Sequence, residues 1–182
     1  QKNTSHKILD LGCGNGWLSN FLAQDNHSIL GIDQNLFELK QAARVFNKNK
    51  KLSFLKADIF FVPFLKESFD IILVASAVQY FPDLTKLLKT LFHYLKPKGE
   101  IHILDSAFYA DDEIPQAMKR SEEYYSSLGF PEMSRYYFHH RVSELQKFSP
   151  KWLYRPNLFA LRIKRMFGEV DSSFAWVMIK SQ

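Results

Sequence analysis

The sequence predicts an α/β protein in which buried parallel strands alternate with amphipathic helices. Short apolar runs that end near a glycine or a carboxylate recur over about the first hundred residues, and apolar residues at helical spacing follow them. Strands that alternate with helices in this way are typical of a doubly wound sheet with helices on both faces. We therefore expect a mostly parallel sheet whose ligands bind beyond the carboxyl ends of its strands.

Each element is justified by its own apolar pattern. The predicted strands are 7–11, 28–32, 52–56, 69–74 and 100–104. The apolar residues that mark the first three helices are Trp17, Leu18, Phe21 and Leu22, then Leu36, Leu39, Ala43 and Phe46, then Leu84, Leu87, Leu88, Leu91 and Leu95. A fourth helix is predicted over 111–128, and its inward residues are expected to be Ile114, Met118, Tyr125 and Leu128.

The composition agrees with one domain that has one core. The chain has 182 residues, of which 46% are hydrophobic, and this is too short for two typical domains. No apolar run approaches the ~18 residues that span a bilayer, and no secretory leader is visible. The single cysteine excludes an internal disulfide framework. We therefore expect a cytoplasmic protein without a membrane partner, and the sequence suggests no metal site.

The most informative run extends from Ile8 to Gly16 and joins a strand to a glycine-rich turn and a helix start. Glycine permits positive φ and close approach of a ligand, and a helix N-terminus favours an anionic group. A dinucleotide fingerprint would need glycine at the position of Trp17, and its pyrophosphate would be repelled by Asp10. A ligand with an ammonium and a sulfonium would instead be attracted, which favours S-adenosylmethionine.

The Asp-x-Gly-x-Gly-x-Gly pattern from Asp10 to Gly16 resembles the first motif of the class I S-adenosylmethionine-dependent methyltransferases. Further marks in the family's order extend the resemblance over 7–105. The resemblance implies a seven-stranded Rossmann-like sheet with an antiparallel last strand, S-adenosylmethionine as cofactor and S-adenosylhomocysteine as product. The cofactor-binding residues assigned on this basis are Asp10, Gly12, Cys13, Gly14, Gly16, Trp17, Asp33, Gln34, Asp58, Ile59 and Ala75.

Several of these positions also have a second interpretation. Asp33 ends the second strand, where a carboxylate can accept both ribose hydroxyls, but it could equally be a helix N-cap. The resemblance places Asp58 and Ile59 beside the adenine, whereas Asp58 could also be a solvated turn residue. Cys13 is interpreted as a small side chain under the cofactor, and the alternative is a thiol whose pKa the helix N-terminus lowers. Asp70, at the entry to the fourth strand, is interpreted as structural.

The residues after the fourth strand bear on the methyl acceptor. Gln79 stands where members of the family often have histidine, and glutamine cannot act as a base. The Asp/Asn-Pro-Pro-Tyr/Phe signature of enzymes that methylate amino groups of bases is absent, because Ala75-Ser76-Ala77-Val78 stands there. This argues against a DNA adenine or glutamine acceptor and leaves carbon, oxygen and other nitrogen acceptors open. The leading interpretation is a class I methyltransferase that acts on a small molecule.

The segment 106–150 is predicted to be an insert on the acceptor side of a single domain, 1–182. Its aromatic residues suit a planar or apolar acceptor, although core packing is the alternative for each of them. They are Phe108, Tyr109, Tyr124, Tyr125, Tyr136, Tyr137, Phe138, His139 and His140. Topology favours Tyr80, Asp105 and His139 as catalytic candidates, and at most one of the two adjacent histidines should face the crevice. The resemblance places the last two strands at 152–154 and 174–179.

Two alternatives to a small-molecule methyltransferase remain open. Six basic residues in the last third of the chain, if they form one surface, would favour tRNA or another nucleic acid as the partner; they are Lys147, Lys151, Arg155, Arg162, Lys164 and Arg165. The other alternative is a non-catalytic subunit that binds S-adenosylmethionine, which Gln79 supports. The protein is expected to be a monomer or a homodimer.

Overall fold

The computed structural model describes residues 4–157 and 172–181. The strands are β1 (Lys7–Leu11), β2 (Ser28–Asp33), β3 (Leu52–Lys56), β4 (Phe69–Ala75), β5 (Leu95–Ser106), β6 (Phe108–Tyr109), β7 (His140–Arg141), β8 (Lys151–Tyr154) and β9 (Ala175–Lys180). The helices are α1 (Trp17–Ala23), α2 (Leu36–Val45), α3 (Leu84–Tyr94), α4 (Ile114–Ser127) and α5 (Val142–Gln146). Short 3-10 turns cover Val78–Tyr80, Asp111–Glu113 and Pro131–Tyr136.

Seven strands form one mixed sheet in the order β3-β2-β1-β4-β5-β9-β8. β1 pairs in parallel with β2 and with β4, and β2 pairs in parallel with β3. β8 and β9 pair antiparallel, so the two strands that the resemblance placed at the end of the chain are confirmed. The predicted α/β fold with a seven-stranded, mostly parallel Rossmann-like sheet is therefore confirmed.

The described residues fall into two compact units. The first comprises residues 4–75, 87–102 and 180–181, and the second comprises residues 76–86, 103–157 and 172–179. The organisation as one domain with an insert at 106–150 stays a prediction.

The core of the first unit follows directly from the apolar strands. Ile8, Leu9 and Leu11 of β1 are buried, as expected for a central parallel strand that is covered on both faces. From α3, three leucines that are fully buried pack into the same unit, namely Leu87, Leu88 and Leu91. Asp70 accepts hydrogen bonds from the Lys7 backbone and from Lys96 Nζ, which agrees with its structural interpretation.

The faces of two helices differ from the prediction. In α2 the buried residues are Leu39 and Ala42, whereas Leu36 is 44% exposed and Ala43 is also exposed. In α4 the buried residues are Ile114 and Ala117, while Met118 and Leu128 are about half exposed. Neighbouring rows of a helix lie close together, so apolar spacing alone does not fix which row a helix buries.

Candidate active site

The glycine loop between β1 and α1 has the backbone conformation that the sequence predicted. Gly12, Gly14 and Gly16 all have positive φ, at 74°, 51° and 76°. The N–H groups of Gly12 and Cys13 donate to the Ile32 carbonyl of β2 at 2.8 and 3.2 Å. The loop therefore folds over the carboxyl end of β2, in a conformation that side chains other than glycine rarely adopt.

Asp33 ties this loop to the start of α2. Its Oδ2 accepts the Gly14 N–H at 2.9 Å, and its Oδ1 accepts the Asn35 N–H at 2.7 Å. The N-cap of α2 is Asn35, whose Oδ1 accepts the N–H groups of Phe37 and Glu38, so the N-cap interpretation of Asp33 is wrong. Both oxygens of Asp33 keep acceptor capacity toward a ligand, as the ribose interpretation requires.

Asp10 lies deeper than its expected position near the mouth of the loop. The residue is 1% exposed, and Ser19 Oγ of α1 donates to its Oδ2. Burial raises the pKa of the Asp10 carboxyl from 3.8 to about 6; the Ser19 hydrogen bond opposes this shift, and the negative charge of Asp33 adds to it. The Asp10 carboxyl is therefore buried within the unit, and its role toward the cofactor stays a prediction.

Cys13 is a buried packing residue. Its burial raises the pKa of the thiol, and the charges of Asp10 and Asp33 raise it further, so the alternative of a reactive thiolate is wrong. Its Sγ packs against Gly31 of β2, because a Cβ placed on Gly31 would lie 2.8 Å from that sulfur.

The remaining cofactor candidates also belong to the first unit. Asp58 is half-buried and its Oδ1 accepts the Phe60 N–H at 2.9 Å, while Ile59 is buried. Gln34 is exposed, Trp17 is 66% exposed, and Ala75 ends β4. Asp58 therefore begins a turn, as its second interpretation states, and its contact with adenine stays a prediction.

Glu38 is a residue near the loop that the sequence interpretation missed. A Cβ placed on Gly14 would lie 3.1 Å from Glu38 Oε2, so this carboxylate faces the middle of the glycine loop. The available signal was the spacing Asn35-x-x-Glu38, which predicts a capping box in which the glutamate bonds to the N-cap N–H. Asp33 takes that N–H instead.

In the second unit, aromatic side chains meet in a group that we call the tyrosine cluster, comprising Tyr80, Tyr109, Tyr125, Tyr137 and His139. The ring centroid of Tyr137 lies 6.2 Å from Tyr80, 6.2 Å from Tyr125 and 5.2 Å from His139. The ring of His139 also lies 5.5 Å from Tyr109. Burial raises the pKa of Tyr125 and Tyr137, so their hydroxyls stay neutral near pH 7.

The ring of His139 is held by α4. Ser121 Oγ lies 2.9 Å from Nε2, and the Ala117 carbonyl accepts a hydrogen bond from the ring. Burial and the charge of Arg120 lower the pKa of His139, which favours the neutral ring. His140 is buried instead against the Val78 carbonyl, with its Nε2 at 3.0 Å, so within the described residues only the first of the two histidines joins the cluster.

The third catalytic candidate, Asp105, makes a different set of contacts. Its Oδ1 accepts a hydrogen bond from Ser172 Oγ at 3.1 Å, and the structure does not bring it into the tyrosine cluster. Asp105 and Ser76 both have positive φ, at 49° and 50°, and Ser76 donates its N–H to Leu104. Backbone strain of this kind is frequent at functional sites, although neither residue showed it in the sequence.

Gln79 joins the segment after β4 to the residues before β7. Its side-chain Nε2 donates to the Ser76 carbonyl at 2.6 Å, and its backbone carbonyl accepts the Phe138 N–H at 2.7 Å. A cavity of about 530 Å³ lies in the same unit. Its walls include the apolar and aromatic residues Leu84, Ile114, Met118, Tyr137 and Phe138, both histidines, His139 and His140, and the charged residues Asp83, Arg135, Arg141 and Glu144. This volume is in the range of small-molecule sites.

A parallel sheet with a glycine loop at its first strand and a carboxylate at its second defines a nucleoside-binding α/β protein. The sequence profile of the family described as "Methyltransferase domain" matches residues 2–158. The chain belongs to this family and is an S-adenosylmethionine-dependent methyltransferase domain of class I.

Curated relatives cover part of the chain. The demethylmenaquinone methyltransferase of Lactococcus lactis is 29% identical over 109 residues, which are 57% of this chain and 43% of that protein. The sterol 24-C-methyltransferase of Debaryomyces hansenii is 33% identical over 103 residues, which are 54% of this chain and 27% of that protein. The chain thus spans less than half the length of these relatives.

Solved structures agree in fold over nearly the whole chain. An S-adenosylmethionine-dependent methyltransferase from Mesorhizobium loti has a TM-score of 0.69 at 18% identity and covers 99% of this chain and 93% of its own. Phosphoethanolamine N-methyltransferase 2 of Haemonchus contortus, in complex with S-adenosylmethionine, has a TM-score of 0.68 at 17% identity, with 98% and 49% covered.

S-adenosylmethionine is the cofactor of this family, and the first unit fits it in charge. Asp33 and Glu38 place two carboxylates beside Gly14, which suits a cationic ligand and opposes a pyrophosphate. Within the loop, the N–H groups of Gly12, Cys13, Gly14 and Gly16 all donate to acceptors of the protein. The loop therefore allows a ligand to approach its backbone closely, and this contributes more than hydrogen bonds from its N–H groups.

Within 4–157 and 172–181, no three histidine, cysteine or acidic side chains are grouped so that they could hold a metal ion. In the same residues, every helix is too short or too polar to cross a membrane.

Proposed function

We propose that the chain transfers the methyl group of S-adenosylmethionine to a small acceptor that is planar or apolar. The observation that carries this proposal is the tyrosine cluster, whose Tyr137 and His139 also line the cavity of about 530 Å³. Neutral aromatic rings bind planar and apolar molecules and exclude water. The names of two relatives, demethylmenaquinone and sterol 24-C-methyltransferases, indicate acceptors of this kind.

The cofactor supplies an electrophilic methyl group on a sulfonium, and the chain supplies binding and orientation. We assign Asp33 to the ribose hydroxyls, Asp58 and Ile59 to the adenine, and the loop from Gly12 to Gly16 to the amino-acid end. Methyl transfer is an in-line displacement, so alignment of the acceptor in a dry pocket supplies much of the rate.

The contacts of His139 and Asp105 favour an acceptor that needs no strong base. The Nε2 of His139 is engaged by Ser121, and the carboxylate of Asp105 is engaged by Ser172. Gln79 has no basic group. A general base accelerates methyl transfer only where the acceptor must lose its proton early. His139 is therefore proposed as a wall of the acceptor pocket in its neutral form, and Tyr80 as the residue that touches the acceptor.

Replacing Asp33 with alanine should weaken S-adenosylhomocysteine binding at least tenfold. Each hydrogen bond from a ribose hydroxyl to the carboxylate contributes about 1.5–3 kcal/mol. Calorimetry should show the loss, and the 2′,3′-dideoxyribose analogue should be nearly insensitive to the substitution. Asp112→Asn, which changes an exposed carboxylate in the 3-10 turn before α4, is the control and should change neither affinity. Equal losses for both ligands would instead indicate that Asp33 only supports the loop.

Replacing Tyr137 with alanine should raise the Michaelis constant of the acceptor, because uniform binding by the cluster is lost. Tyr80→Ala should lower turnover and leave cofactor affinity within about twofold, since Tyr80 is not among the residues assigned to the cofactor. A screen of planar apolar compounds that includes demethylmenaquinone supplies the acceptor. Tyr136 is 63% exposed, so Tyr136→Ala is the matched control, although the sequence alone had grouped it with Tyr137.

The same assays test the two alternatives. Of the six basic residues, Lys147, Lys151 and Arg155 are exposed, whereas Arg162, Lys164 and Arg165 lie outside the described residues. The tRNA alternative predicts tRNA binding that falls steeply with salt and is lost in Lys147→Glu and Lys151→Glu. If this is observed and the tyrosine variants have no effect on activity, the tRNA alternative replaces the small-molecule proposal. Tight cofactor binding without turnover of any acceptor would favour the non-catalytic subunit.

A further inference from the structure

We propose that Glu38 selects the charge of the ligand at the glycine loop, so that the site accepts adenosine compounds with a cationic or neutral 5′ substituent and rejects those with a 5′ phosphate. This inference rests on the proposed function, because it concerns the same cofactor site. It assigns to Glu38 a specificity role that the family motif of the loop does not contain.

The local sequence explains why the Glu38 carboxylate is available. Glu38 is the third residue after the N-cap Asn35, a position from which glutamate ordinarily bonds back to the N-cap N–H. Here that N–H donates to Asp33 Oδ1 at 2.7 Å. The capping role of Glu38 is thus already filled by another carboxylate, and its side chain extends toward Gly14 instead.

Gly14 lies between the two carboxylates. Its N–H donates to Asp33 Oδ2 at 2.9 Å, and the position of its absent Cβ is 3.1 Å from Glu38 Oε2. Asp33 accepts two backbone N–H groups, which offset part of its charge. The Glu38 carboxylate has no hydrogen-bond donor or cation among the residues that the structure describes, so its charge is the less compensated of the two.

The electrostatic consequence differs between ligands. A 5′ phosphate bound at the loop would meet Glu38 and Asp33 at short range and would be repelled. The ammonium and sulfonium of S-adenosylmethionine would be attracted by the same charges. The competing explanation is that Glu38 only complements the N-terminal dipole of α2, an effect that stabilises the helix and does not discriminate between ligands.

Calorimetry on the intact chain tests this with S-adenosylhomocysteine, adenosine and adenosine 5′-monophosphate as probes. The wild-type protein should bind adenosine about tenfold more tightly than the monophosphate, because like charges oppose the phosphate. Glu38→Gln, which keeps the shape and removes the charge, should reduce this ratio about threefold or more and leave adenosine within about twofold. Glu38→Asp, which keeps the charge, should stay near the wild-type ratio. Glu122→Gln on the exposed surface of α4 makes the same change in net charge and should leave the ratio unaltered.

The outcomes separate the two proposals. If wild-type protein binds none of the three probes, the proposed function itself fails. If the wild-type protein binds S-adenosylhomocysteine and Glu38→Gln leaves the ratio of adenosine to monophosphate unchanged, the assignment of Glu38 fails while the proposed function stands. A loss of thermal stability in Glu38→Gln with an unchanged ratio would identify Glu38 as a helix-stabilising residue and overturn its selective role.

Discussion

Alanine at Gly16 is expected to destabilise the folded state strongly, whereas alanine at Gly14 should weaken cofactor binding and preserve the fold. A Cβ on Gly16 would overlap Phe54 Cζ and would lie 3.0 Å from Ala42 Cβ. A Cβ on Gly14 would meet only the end of the flexible Glu38 side chain, at 3.1 Å. Both positions have positive φ, so the two variants share the backbone strain and differ in the contact.

The expected magnitudes follow from these two effects. Left-handed backbone costs a non-glycine residue about 1–2 kcal/mol, and overpacking against Phe54 adds about 1–3 kcal/mol at Gly16. Alanine at position 14 must either adopt the strained backbone or leave the conformation in which its N–H bonds Asp33. In either case we expect the affinity for the cofactor to fall about tenfold or more. Thermal unfolding and calorimetry with S-adenosylhomocysteine measure the two effects.

Gly129 supplies the matched control for these variants. It has φ of +82°, and nothing lies within 4 Å of its Cβ position, so Gly129→Ala carries the backbone strain alone. It should lower the free energy of unfolding by about 1–2 kcal/mol and leave cofactor binding intact. Combining Phe54→Leu with Gly16→Ala should restore part of the lost stability, because leucine is smaller than phenylalanine and has no ring. If Gly16→Ala and Gly129→Ala unfold alike, the contact with Phe54 is not the cause.

The strands could be predicted from the sequence because each is a continuous apolar run that stops at a turn residue. β1 and β3 match their predicted bounds, and β2 and β4 are each one residue longer. β5 begins at Leu95, directly after α3, whereas the sequence predicted this strand only over 100–104. A turn lies within the strand between Pro97 and Gly99, where Lys98 has φ of +64°. A turn that interrupts the backbone without ending the pairing has no distinct apolar pattern.

The site could be predicted where its geometry is local and could not where it depends on packing. The three glycines fix their loop through their own conformations, and the carboxylate of Asp33 follows a recognisable strand end. The direction of Glu38 depends on which residue captures one N–H, and the partner of His139 lies 18 residues away on α4. Such contacts arise from tertiary packing and leave no periodic pattern in the sequence.

Replacing Asp10 with asparagine should stabilise the cofactor-free fold at neutral pH and remove a pH dependence of stability. The pKa of the Asp10 carboxyl is about 6 in the folded state, against an ordinary value of 3.8, and burial is its main cause. The unfolded chain therefore loses its proton at lower pH than the folded protein. As pH rises from about 4 to about 6, the folded state loses about 3 kcal/mol of stability through this group, and the deficit persists above pH 6.

Urea unfolding from pH 4 to pH 7.5 measures this difference. We expect Asp10→Asn to gain about 1–3 kcal/mol at pH 7.5 relative to wild type, with the upper value reduced because a buried amide also needs partners. The two proteins should converge near pH 4, where the carboxyl is protonated in the folded state. Asp112→Asn, exposed at the surface, should follow the wild-type curve. Parallel curves for Asp10→Asn and wild type would contradict the assignment of this pH dependence to Asp10.

The same substitution should weaken S-adenosylhomocysteine binding, because the buried charge that destabilises the free protein attracts the ligand's ammonium group. Binding of that cation should favour the ionised carboxylate, so the wild-type protein should release protons on binding near pH 6. Calorimetry in buffers of different ionisation enthalpy measures this release. Asp10→Asn should abolish it, and Ser19→Ala, which removes the hydrogen bond that opposes protonation, should move the release to higher pH. Proton release that is identical in all three proteins would show that another group near the loop titrates and that Asp10 is only a structural residue.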